Sequence, residues 1–372
     1  MGELGPTASS IGYAKQLRIW SEKWGQKNEC KIEFMLTRRS SIPLMKKILV
    51  TGGAGFVGRR FCKRFLDAGD EVHCVDPVAP DTGGREPDAG WPLYVPRDYR
   101  NFHFYKEDCR KWFRDHQDGD FDYVFHLAAM VGGRAMIENR PLAVADDLAI
   151  DAEFWQWAEK AKPAKTVCFS SSAAYPINHQ KEGSYRLLTE DMIRFDGDLG
   201  MPDMTYGWAK LTCEYLARLG FEKHGLKSIC YRPFSGYGED QDDTYPFPSI
   251  IKRALAHAGQ PVLTVWGTGD QMRDFIHIED CVDGVLATMD KINDGDALNL
   301  STGIYTSFKQ FARMTAENIG YNPKVVGLSD KPAGVFARGG DTQKQASLGF
   351  KARISFAEGI RHALASHSKR LS

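Results

Sequence analysis

Residues 46–77 read KKILVTGGAGFVGRRFCKRFLDAGDEVHCVDP and contain two short apolar runs, separated by a glycine-rich turn and a longer amphipathic segment. The first run, at residues 48–50, predicts a buried strand, and residues 56–68 predict the helix that follows it. Residues 72–75 predict a second strand, which ends at Asp76. The order of these elements indicates a βαβ unit, in which the two strands lie parallel in one sheet.

Three glycines in the first turn of this unit have different predicted roles. Gly52 permits the tight turn, Gly55 lets the backbone approach a pyrophosphate, and Gly58 lets the helix pack closely on the strand. The N-terminus of the helix adds unpaired N–H groups and the positive end of the helix dipole, and both favour phosphate. We therefore expect a dinucleotide cofactor at this turn, with Phe56 and Val57 among its contacts.

Asp76 indicates which dinucleotide is bound. A carboxylate at the end of the second strand accepts hydrogen bonds from the ribose hydroxyls of the adenosine, and it repels a 2′-phosphate. The sequence therefore favours NAD over NADP as the cofactor.

Further strands are predicted at residues 101–106, 123–127 and 165–170, in the rhythm of a doubly wound parallel sheet. Ligands in such sheets bind at the carboxyl ends of the strands. Residues at these strand ends are therefore further candidates for the cofactor site. They are Asp108, which is expected to contact the adenine, and Leu127, Ala128 and Ala129, where small side chains let a cofactor cross the strand ends.

Candidate catalytic residues lie in the sequence SSSAAYP at 170–176 and in a helix predicted to begin at Thr205. Tyr206 and Lys210 are four residues apart, so they share one face of that helix. A lysine near the nicotinamide lowers the pKa of a tyrosine hydroxyl, which lets the phenolate act as a base near neutral pH. A serine hydroxyl from the strand end is expected to bind the substrate oxygen that loses its proton.

The composition excludes several classes of partner. Lysine plus arginine and aspartate plus glutamate number 48 each, so the net charge is zero and no basic surface for nucleic acid is predicted. No apolar run approaches the roughly 20 residues that a membrane-spanning helix needs. The eight cysteines show neither CxxC pairs nor histidines at metal-ligand spacing. We therefore predict packed thiols, no metal site and a reducing, cytoplasmic location.

Residues 1–44 precede the first clear strand and mix tryptophan, lysine, glutamate and serine. Glutamates are unusual in a targeting peptide, so we expect a poorly ordered extension, or a start codon upstream of Met35 or Met45. The folded part of the chain is therefore expected to begin at Met45.

From Met45 to the C-terminus the chain resembles the extended short-chain dehydrogenase/reductase family, which includes nucleotide-sugar epimerases and dehydratases. The segments TGGAGFVG, HLAA, SSS, YGWAK, RPFSGYG, RDFIHIEDCVDG and RGGD occur in the family's order. The resemblance implies a Rossmann domain at residues 45–235 and a smaller C-terminal α/β domain at residues 236–372 that binds a nucleotide sugar. Residues from about 270 to 292 are expected to return to the Rossmann domain. The resemblance also implies that the protein is an isomerase of carbohydrate biosynthesis and that it forms a homodimer.

The resemblance also assigns residues to the substrate. Arg273 resembles the family's phosphate-binding arginine, and RGGD matches the family's RxxD, in which Arg338 grips the diphosphate and Asp341 binds the nucleotide ribose. A guanidinium group suits bidentate binding of phosphate. Arg134, beside Gly133 at the predicted sheet edge, is expected to reach a carboxylate or hydroxyl of the sugar.

The family's spacing leaves two serines as candidates for the catalytic hydroxyl. The catalytic serine or threonine usually lies four residues before the tyrosine that closes its motif, and counting back from Tyr175 selects Ser171. Counting from Phe169 allows Ser172, which is otherwise expected to contact the substrate. The resemblance therefore implies Ser171 as the partner of Tyr206, with Ser172 as the alternative.

Ala173, two residues after Ser171, bears on the reaction. At this position the family's 4,6-dehydratases carry glutamate, while GDP-fucose synthase and GDP-mannose 3,5-epimerase carry cysteine, and these groups move protons on sugar carbons. Alanine cannot, so the resemblance implies NAD-dependent epimerisation at C4 of a UDP- or GDP-linked sugar. In that reaction Tyr206 takes a proton from O4, NAD takes hydride from C4, and the hydride returns to the other face of the 4-keto sugar.

Two alternatives remain. The loop MVGGRAMIENRP and the short SSxxYP spacing resemble GDP-fucose synthase and GDP-mannose 3,5-epimerase. Tyr245 falls where the synthase carries a second acid, a histidine, and it either substitutes for that acid or only packs. A GDP-sugar 3,5-epimerase or epimerase-reductase is therefore the second interpretation, although Asp76 argues against the reductase and Ala173 against both. A non-catalytic nucleotide-binding protein of the same fold is the third.

Overall fold

The computed structural model describes residues 45–78, 84–87, 91–117, 119–130 and 134–371. The predicted N-terminal extension, residues 1–44, and the candidate residue Gly133 lie outside the described residues.

Twelve strands and eleven α-helices occur in these ranges. The strands are β1 Lys47–Thr51, β2 Glu71–Val75, β3 Phe102–Tyr105, β4 Tyr123–His126, β5 Thr166–Phe169, β6 Ser228–Pro233, β7 Val262–Trp266, β8 Met272–Asp274, β9 Asp294–Leu300, β10 Tyr305–Ser307, β11 Lys324–Leu328 and β12 Ala337–Arg338. The helices are α1 Gly58–Asp67, α2 Cys109–Asp115, α3 Arg134–Asn139, α4 Pro141–Val144, α5 Asp146–Ala161, α6 Met204–His224, α7 Pro246–Ala256, α8 Ile278–Thr288, α9 Phe308–Ile319, α10 Gln343–Ser347 and α11 Phe356–Leu371.

Seven strands form one sheet in the order β3-β2-β1-β4-β5-β6-β9, and every pairing in it is parallel. The strand order reverses between β1 and β4. The carboxyl ends of these two strands are therefore the switch point at which open α/β sheets bind their ligands. The predicted doubly wound α/β fold is confirmed.

Both faces of the large sheet are covered. Ile48 and Val50 belong to a core that also includes apolar residues of α1 and α8, whereas Leu49 between them belongs to a core with residues of α2 and α5. Successive side chains of a strand point to opposite faces, so three consecutive apolar residues suit a strand that is buried on both sides.

The C-terminal part adds two small sheets, β10-β8-β12 and β11-β7. Helices α7, α9 and α11 share a separate core, in which the rings of Phe247, Phe311 and Phe356 pack together. Strand β8 lies in a small sheet, α8 shares a core with α1, and β9, which was not predicted, joins the large sheet. The return of residues from about 270 to 292 to the Rossmann domain stays a prediction. The domain division at residue 235 stays a prediction.

No helix in the described ranges is long and apolar enough to cross a membrane. The seven cysteines in these ranges are all buried and free. They pack as small apolar side chains, as the cysteine spacing predicted, and the cytoplasmic location inferred from them stays a prediction.

Candidate active site

The turn between β1 and α1 is built from backbone packed closely against backbone. Gly52 has a φ of +69°, and a Cβ atom there would lie 2.8 Å from the backbone nitrogen of Ala128. A Cβ atom on Gly58 would lie 2.4 Å from the carbonyl oxygen of Gly52, so α1 approaches the turn only because residue 58 lacks a side chain. The predicted cofactor residues share this turn at the switch point of the sheet: Gly52, Gly55, Phe56, Val57 and Gly58.

Asp76 follows β2 directly and is 4% exposed. Its Oδ2 atom accepts a hydrogen bond from the backbone N–H of Ala54 (3.1 Å), and its Oδ1 atom accepts one from that of Val78 (2.7 Å). Burial raises the pKa of this carboxyl group, and the two N–H donors oppose the rise. The carboxylate is thus fixed beside the glycine turn, where it fits the ribose hydroxyls of NAD.

Arg59 is the buried cation whose charge acts on Asp76. Its guanidinium group donates to the carbonyl oxygen of Ala54 (2.7 Å) and to Oδ2 of Asp240 (3.0 Å), and the residue is 1% exposed. An arginine engaged in this way is not placed to receive a 2′-phosphate. The residues around the turn therefore fit NAD better than NADP.

The other predicted cofactor residues lie at the ends of β3 and β4. Asp108 caps α2 by accepting a hydrogen bond from the N–H of Arg110 (2.8 Å), and hydrogen bonds from the Arg110 side chain lower the pKa of Asp108. The backbone N–H of Leu127 donates to the carbonyl of Thr51 (3.1 Å), and that of Ala128 donates to the Thr51 hydroxyl (3.3 Å). Residues 127–129 are thus brought beside the glycine turn, whereas the contact of Asp108 with adenine stays a prediction.

The three serines after β5 have different environments. Ser170 donates a short hydrogen bond to Glu214 of α6 and so serves to anchor that helix. Ser171 accepts a hydrogen bond at Oγ from the backbone N–H of Ala173 (3.1 Å), and its side chain acts on Tyr206 in the direction that lowers the pKa of the tyrosine. Ser172 is 5% exposed and begins a short 3₁₀ turn. The choice of Ser171 over Ser172 as the catalytic hydroxyl stays a prediction.

Tyr206 lies in the first turn of α6, and the Nζ atom of Lys210 lies 5.7 Å from the centre of its ring. Burial raises the pKa of Tyr206, while the charge of Lys210 and the nearby Ser171 side chain lower it, with a net upward shift. Lys210 therefore acts on the tyrosine in the predicted direction, but its effect does not outweigh burial.

Lys210 has a buried partner that sequence reasoning missed. Its Nζ atom lies 3.6 Å from Oδ2 of Asp147 in α5, and the two side chains are 5% and 1% exposed. Burial lowers the pKa of the lysine, but the charges of Asp147 and Asp151 outweigh that effect and raise it. Lys210 is therefore protonated throughout the physiological pH range.

A second missed residue, Asp203, joins two of the predicted substrate residues. It lies just before α6, where Nη1 of Arg134 donates to both of its carboxylate oxygens (2.9 and 3.0 Å) and Nη2 of Arg338 donates to Oδ2 (2.9 Å). Arg134 also donates from Nε to Glu138 (2.6 Å). Burial raises the pKa of Asp203, but the charges of Arg338 and Arg134 outweigh it and lower the pKa. Arg134, predicted to reach the sugar, is thus held by two carboxylates.

Arg273 completes a cluster of three guanidinium groups. Its Nη1 atom donates to the carbonyl of Met272 (2.8 Å), and its guanidinium group lies 5.6 Å from the centre of the Phe308 ring. Burial and the charge of Arg338 lower the pKa of Arg273 to about 9, against the opposing charge of Asp203. A bound diphosphate would relieve this repulsion, so the cluster suits an anionic ligand.

Asp341 and Tyr245 each lie just before a helix of the C-terminal part. Asp341 accepts a hydrogen bond from the N–H of Gln343 (2.7 Å) at the start of α10, and its contact with a ribose stays a prediction. Tyr245 lies just before α7. Burial raises its pKa, and an electrostatic interaction with Tyr206 adds to the rise.

Ala173 is fixed by its backbone between β5 and α6. Its carbonyl oxygen accepts a hydrogen bond from the N–H of Asp203 (2.9 Å), and a Cβ atom on Gly207 would lie 2.4 Å from that oxygen. The residue is 3% exposed, and its methyl group cannot transfer a proton. The segment after Ser171 is therefore held against the catalytic helix without a third acid or base at this position.

Fold and site together define a dinucleotide-binding α/β protein with a tyrosine–lysine pair at the carboxyl edge of its sheet. Residues 48–301 match the family described as "NAD dependent epimerase/dehydratase family", so the chain belongs to that family. The predicted resemblance is thereby confirmed, and NAD, favoured by Asp76, is the cofactor that the family description names.

Known proteins similar to this chain include GDP-sugar synthases and UDP-sugar 4-epimerases. Probable GDP-L-fucose synthase 1 of Oryza sativa subsp. japonica is 28% identical, over 64% of this chain and 73% of its own length. The structure of UDP-glucose 4-epimerase with UDP-glucose from Thermotoga maritima is 25% identical, with a TM-score of 0.72, over 88% of this chain and 100% of that one. UDP-glucuronic acid 4-epimerase from Bacillus cereus, in complex with UDP-glucuronic acid and NAD, is 26% identical, with a TM-score of 0.71 and the same coverage.

Proposed function

We propose that the protein is an NAD-dependent nucleotide-sugar epimerase that inverts C4 of its substrate. The observation that carries the proposal is the placement of Lys210 one helical turn from Tyr206, with its Nζ atom 5.7 Å from the centre of the tyrosine ring, beside a strand end in which Ser171 is followed by Ala173. This set of residues can take a proton from a sugar hydroxyl and return it. Residue 173, an alanine, provides no acid or base for a neighbouring carbon. Similarity to two UDP-sugar 4-epimerases supports C4 as the reacting carbon.

The protein's own part in the reaction is proton transfer. Ser171 and Tyr206 bind the sugar hydroxyl; Tyr206, deprotonated where the charge of Lys210 offsets the effect of burial, takes the proton as the O–H bond breaks and C4 becomes a carbonyl. NAD, which Asp76 and the glycine turn would hold, would supply the hydride acceptor and donor for C4. Tyr206 then gives its proton back to the oxygen, so the cycle leaves no net oxidation. Lys210 stabilises the phenolate by its positive charge.

The arginine cluster is the proposed site for the diphosphate of the substrate. Arg273 makes no carboxylate ion pair within the described ranges, unlike Arg134 and Arg338, and its pKa is lowered by burial first and then by the charges of those two arginines, so it gains most from a phosphate. Arg338 is proposed to contact the same diphosphate and Asp341 the nucleotide ribose. The substrate is a UDP- or GDP-linked sugar.

One observation favours a second candidate, a GDP-sugar 3,5-epimerase or epimerase-reductase. Tyr245 interacts electrostatically with Tyr206, so a second phenol is available to exchange a proton with a carbon next to the 4-keto group. Similarity to a GDP-L-fucose synthase supports the same candidate. Ala173 remains the main argument against it.

The test is incubation of the purified protein and its bound cofactor with UDP- and GDP-hexoses in deuterated water, read by NMR and mass spectrometry. We expect a C4-inverted product without deuterium on carbon, because the hydride returns from the cofactor. Deuterium at C3 or C5 would establish the second candidate, and Tyr245→Phe would then abolish the exchange. Conversion of no nucleotide sugar, together with retained NAD binding, would refute both.

Two variants separate catalysis from binding in this assay. We expect Tyr206→Phe to lower kcat by about 10³-fold or more, because it removes the base, and Ser171→Ala to lower it by about 10–100-fold. Both variants should bind NAD with the affinity of the wild-type protein. Normal turnover by Tyr206→Phe would contradict the proposed mechanism.

We also propose a homodimer formed through α5 and α6. Trp208 and Tyr215 lie two turns apart on α6 and are 42% and 44% exposed, and Leu148 of α5 is 38% exposed. Large exposed apolar side chains on adjacent helices are typical of an interface between subunits. Sedimentation should show that Trp208→Glu converts a dimer into a monomer. Trp266→Glu, which changes a comparably exposed tryptophan (43%) on β7, should leave the dimer intact.

A further inference from the structure

A buried acid connects the catalytic lysine to the strand end where the cofactor is expected. Asp147 lies on the inner face of α5, and its Oδ2 atom is 3.6 Å from Nζ of Lys210. Its Oδ1 atom accepts a short hydrogen bond from the backbone N–H of Met130, two residues beyond Ala128. Among the described residues no group makes a hydrogen bond to Oδ2, so Lys210 is the partner that this buried oxygen faces.

A second acid, one turn later on α5, has a different partner. Asp151 lies 3.1 Å from Nε2 of His126, and Nδ1 of that histidine lies 2.9 Å from the hydroxyl of Thr51. Burial raises the pKa of Asp151 to about 6. Asp151 thus joins α5 to β1 and β4, while Asp147 is the carboxylate committed to the lysine.

We propose that Asp147 is a positioning residue that holds Lys210 beneath Tyr206 and opposes the effect of the lysine charge on the tyrosine hydroxyl. The inference rests on the proposed function, because it concerns the same proton transfer. It differs from a packing role in one respect, which is that loss of the carboxylate should change how easily Tyr206 ionises.

The groups that face Tyr206 act on it in two directions. Burial raises its pKa most, and the negative charge of Asp147 adds to the rise. Lys210 from the same helix, the hydroxyl of Ser171 and the charge of Arg338 all lower it. Tyr245 also interacts with Tyr206 across the site. Asp147 is thus the facing carboxylate whose charge opposes ionisation.

The negative charge of Asp147 therefore cancels part of the effect that the Lys210 charge has on the pKa of Tyr206. An amide at residue 147 would leave the ammonium group fully effective on the phenol, so Tyr206 would lose its proton at lower pH. The same change would remove the partner that fixes the ammonium group, so the phenolate would be less well placed against the sugar. We therefore expect an amide at residue 147 to lower both the turnover number and the pKa of Tyr206.

The experiment measures the pH dependence of kcat/KM for the epimerisation with Asp147→Asn, Asp147→Glu and Asp151→Asn. For Asp147→Asn we expect the acid limb to move down by about one pH unit. We also expect kcat to fall about tenfold with KM little changed. Asp147→Glu, which keeps the charge, should restore the wild-type limb. Asp151→Asn should move it less, because that carboxylate is engaged by His126.

A direct readout keeps the inference separate from the proposed reaction. Tyrosine labelled with ¹³C at Cζ gives one resonance that disappears in Tyr206→Phe, and its titration reports the ionisation of Tyr206 without any substrate. The Tyr206 pKa should be lower in Asp147→Asn than in the wild-type protein. An unchanged or higher pKa would overturn the inference, even if the enzyme is an epimerase. If Asp147→Asn does not fold, Asp147→Ser is the second variant, and a Tyr206 pKa in it that is equal to or above the wild-type value would overturn the inference.

Discussion

The turn between β1 and α1 and the cluster around Asp203 are both binding surfaces, but they are built differently. In the turn, Gly52 and Gly58 let backbone approach backbone, which leaves main-chain N–H groups as the expected donors to the cofactor. In the cluster, Asp203 holds Arg134 and Arg338 by side-chain ion pairs between residues far apart in the chain. The first surface is specified within a few residues, whereas the second depends on how several elements pack.

The difference determines what each surface tolerates. A site made of backbone fails when any side chain is added, because the available space is smaller than a methyl group. A site made of paired charges fails when one partner is removed, because the remaining buried charges are left uncompensated. Substitutions of opposite kinds should therefore disable the two regions separately.

The largest expected effect is that of Gly58→Ala. The added methyl group would lie 2.4 Å from the carbonyl oxygen of Gly52, so α1 must move away from the turn. We expect a loss of about 2–3 kcal/mol in the free energy of unfolding and a fall of about 100-fold in NAD affinity. Gly197→Ala is the control, because nothing lies within 4 Å of its Cβ position, and it should change neither quantity. A Gly58→Ala protein with normal NAD affinity would contradict the comparison.

Asp203→Asn should disable the charged cluster while leaving the turn intact. Two arginines lose their shared carboxylate, so we expect a loss of about 2–3 kcal/mol in unfolding free energy at pH 7, with unchanged NAD affinity. The pKa of Asp203 is lowered in the fold, so its contribution is complete above the ordinary aspartate pKa and is lost as pH falls below it. The difference from the wild-type protein in urea unfolding should therefore shrink below about pH 4.

The control for this prediction is Asp196→Asn. Asp196 pairs with Arg194 at 3.2 Å, but the two side chains are 60% and 68% exposed. Solvent screens an exposed ion pair, so the stability of this variant should be close to that of the wild-type protein. Equal effects of the two aspartate substitutions would show that burial of the cluster does not matter.

Asp76→Asn should have a smaller effect than Gly58→Ala and Asp203→Asn, and it tests whether the turn selects NAD through this carboxylate. An amide can accept from only one of the two N–H groups, Ala54 and Val78, that the carboxylate now satisfies. We expect NAD to bind about tenfold more weakly, and the preference for NAD over NADP to shrink, because the charge that repels a 2′-phosphate is gone. Calorimetric titration with both cofactors measures the two effects. An unchanged preference would mean that Asp76 does not select the cofactor.

The same difference explains how much of the fold was predictable from sequence. The runs at 48–50 and 72–75 became β1 and β2 with an error of one residue, because local apolar pattern and glycines specify them. The helix predicted at 56–68 begins only at Gly58, because the two preceding residues belong to the turn. Strand β9 was not predicted, because its sequence does not indicate the strand with which it pairs.

The candidate site divides in the same way. Tyr206 and Lys210 were found together because their spacing within one helix is visible in the sequence. Asp147 and Asp203 were missed, because each pairs with a residue far away in the sequence. Asp147 is 63 residues from Lys210, and Asp203 is 135 residues from Arg338. One signal was available for Asp147, which is that two acids four residues apart, 147 and 151, interrupt an otherwise apolar helix face.

Ala173 has a consequence for how such enzymes diverge. Its carbonyl is held by the N–H of Asp203 and by the close approach of Gly207, so the side chain contributes nothing to the anchoring of the segment. A lineage can therefore exchange the group at this position while the catalytic helix and the strand end keep their places.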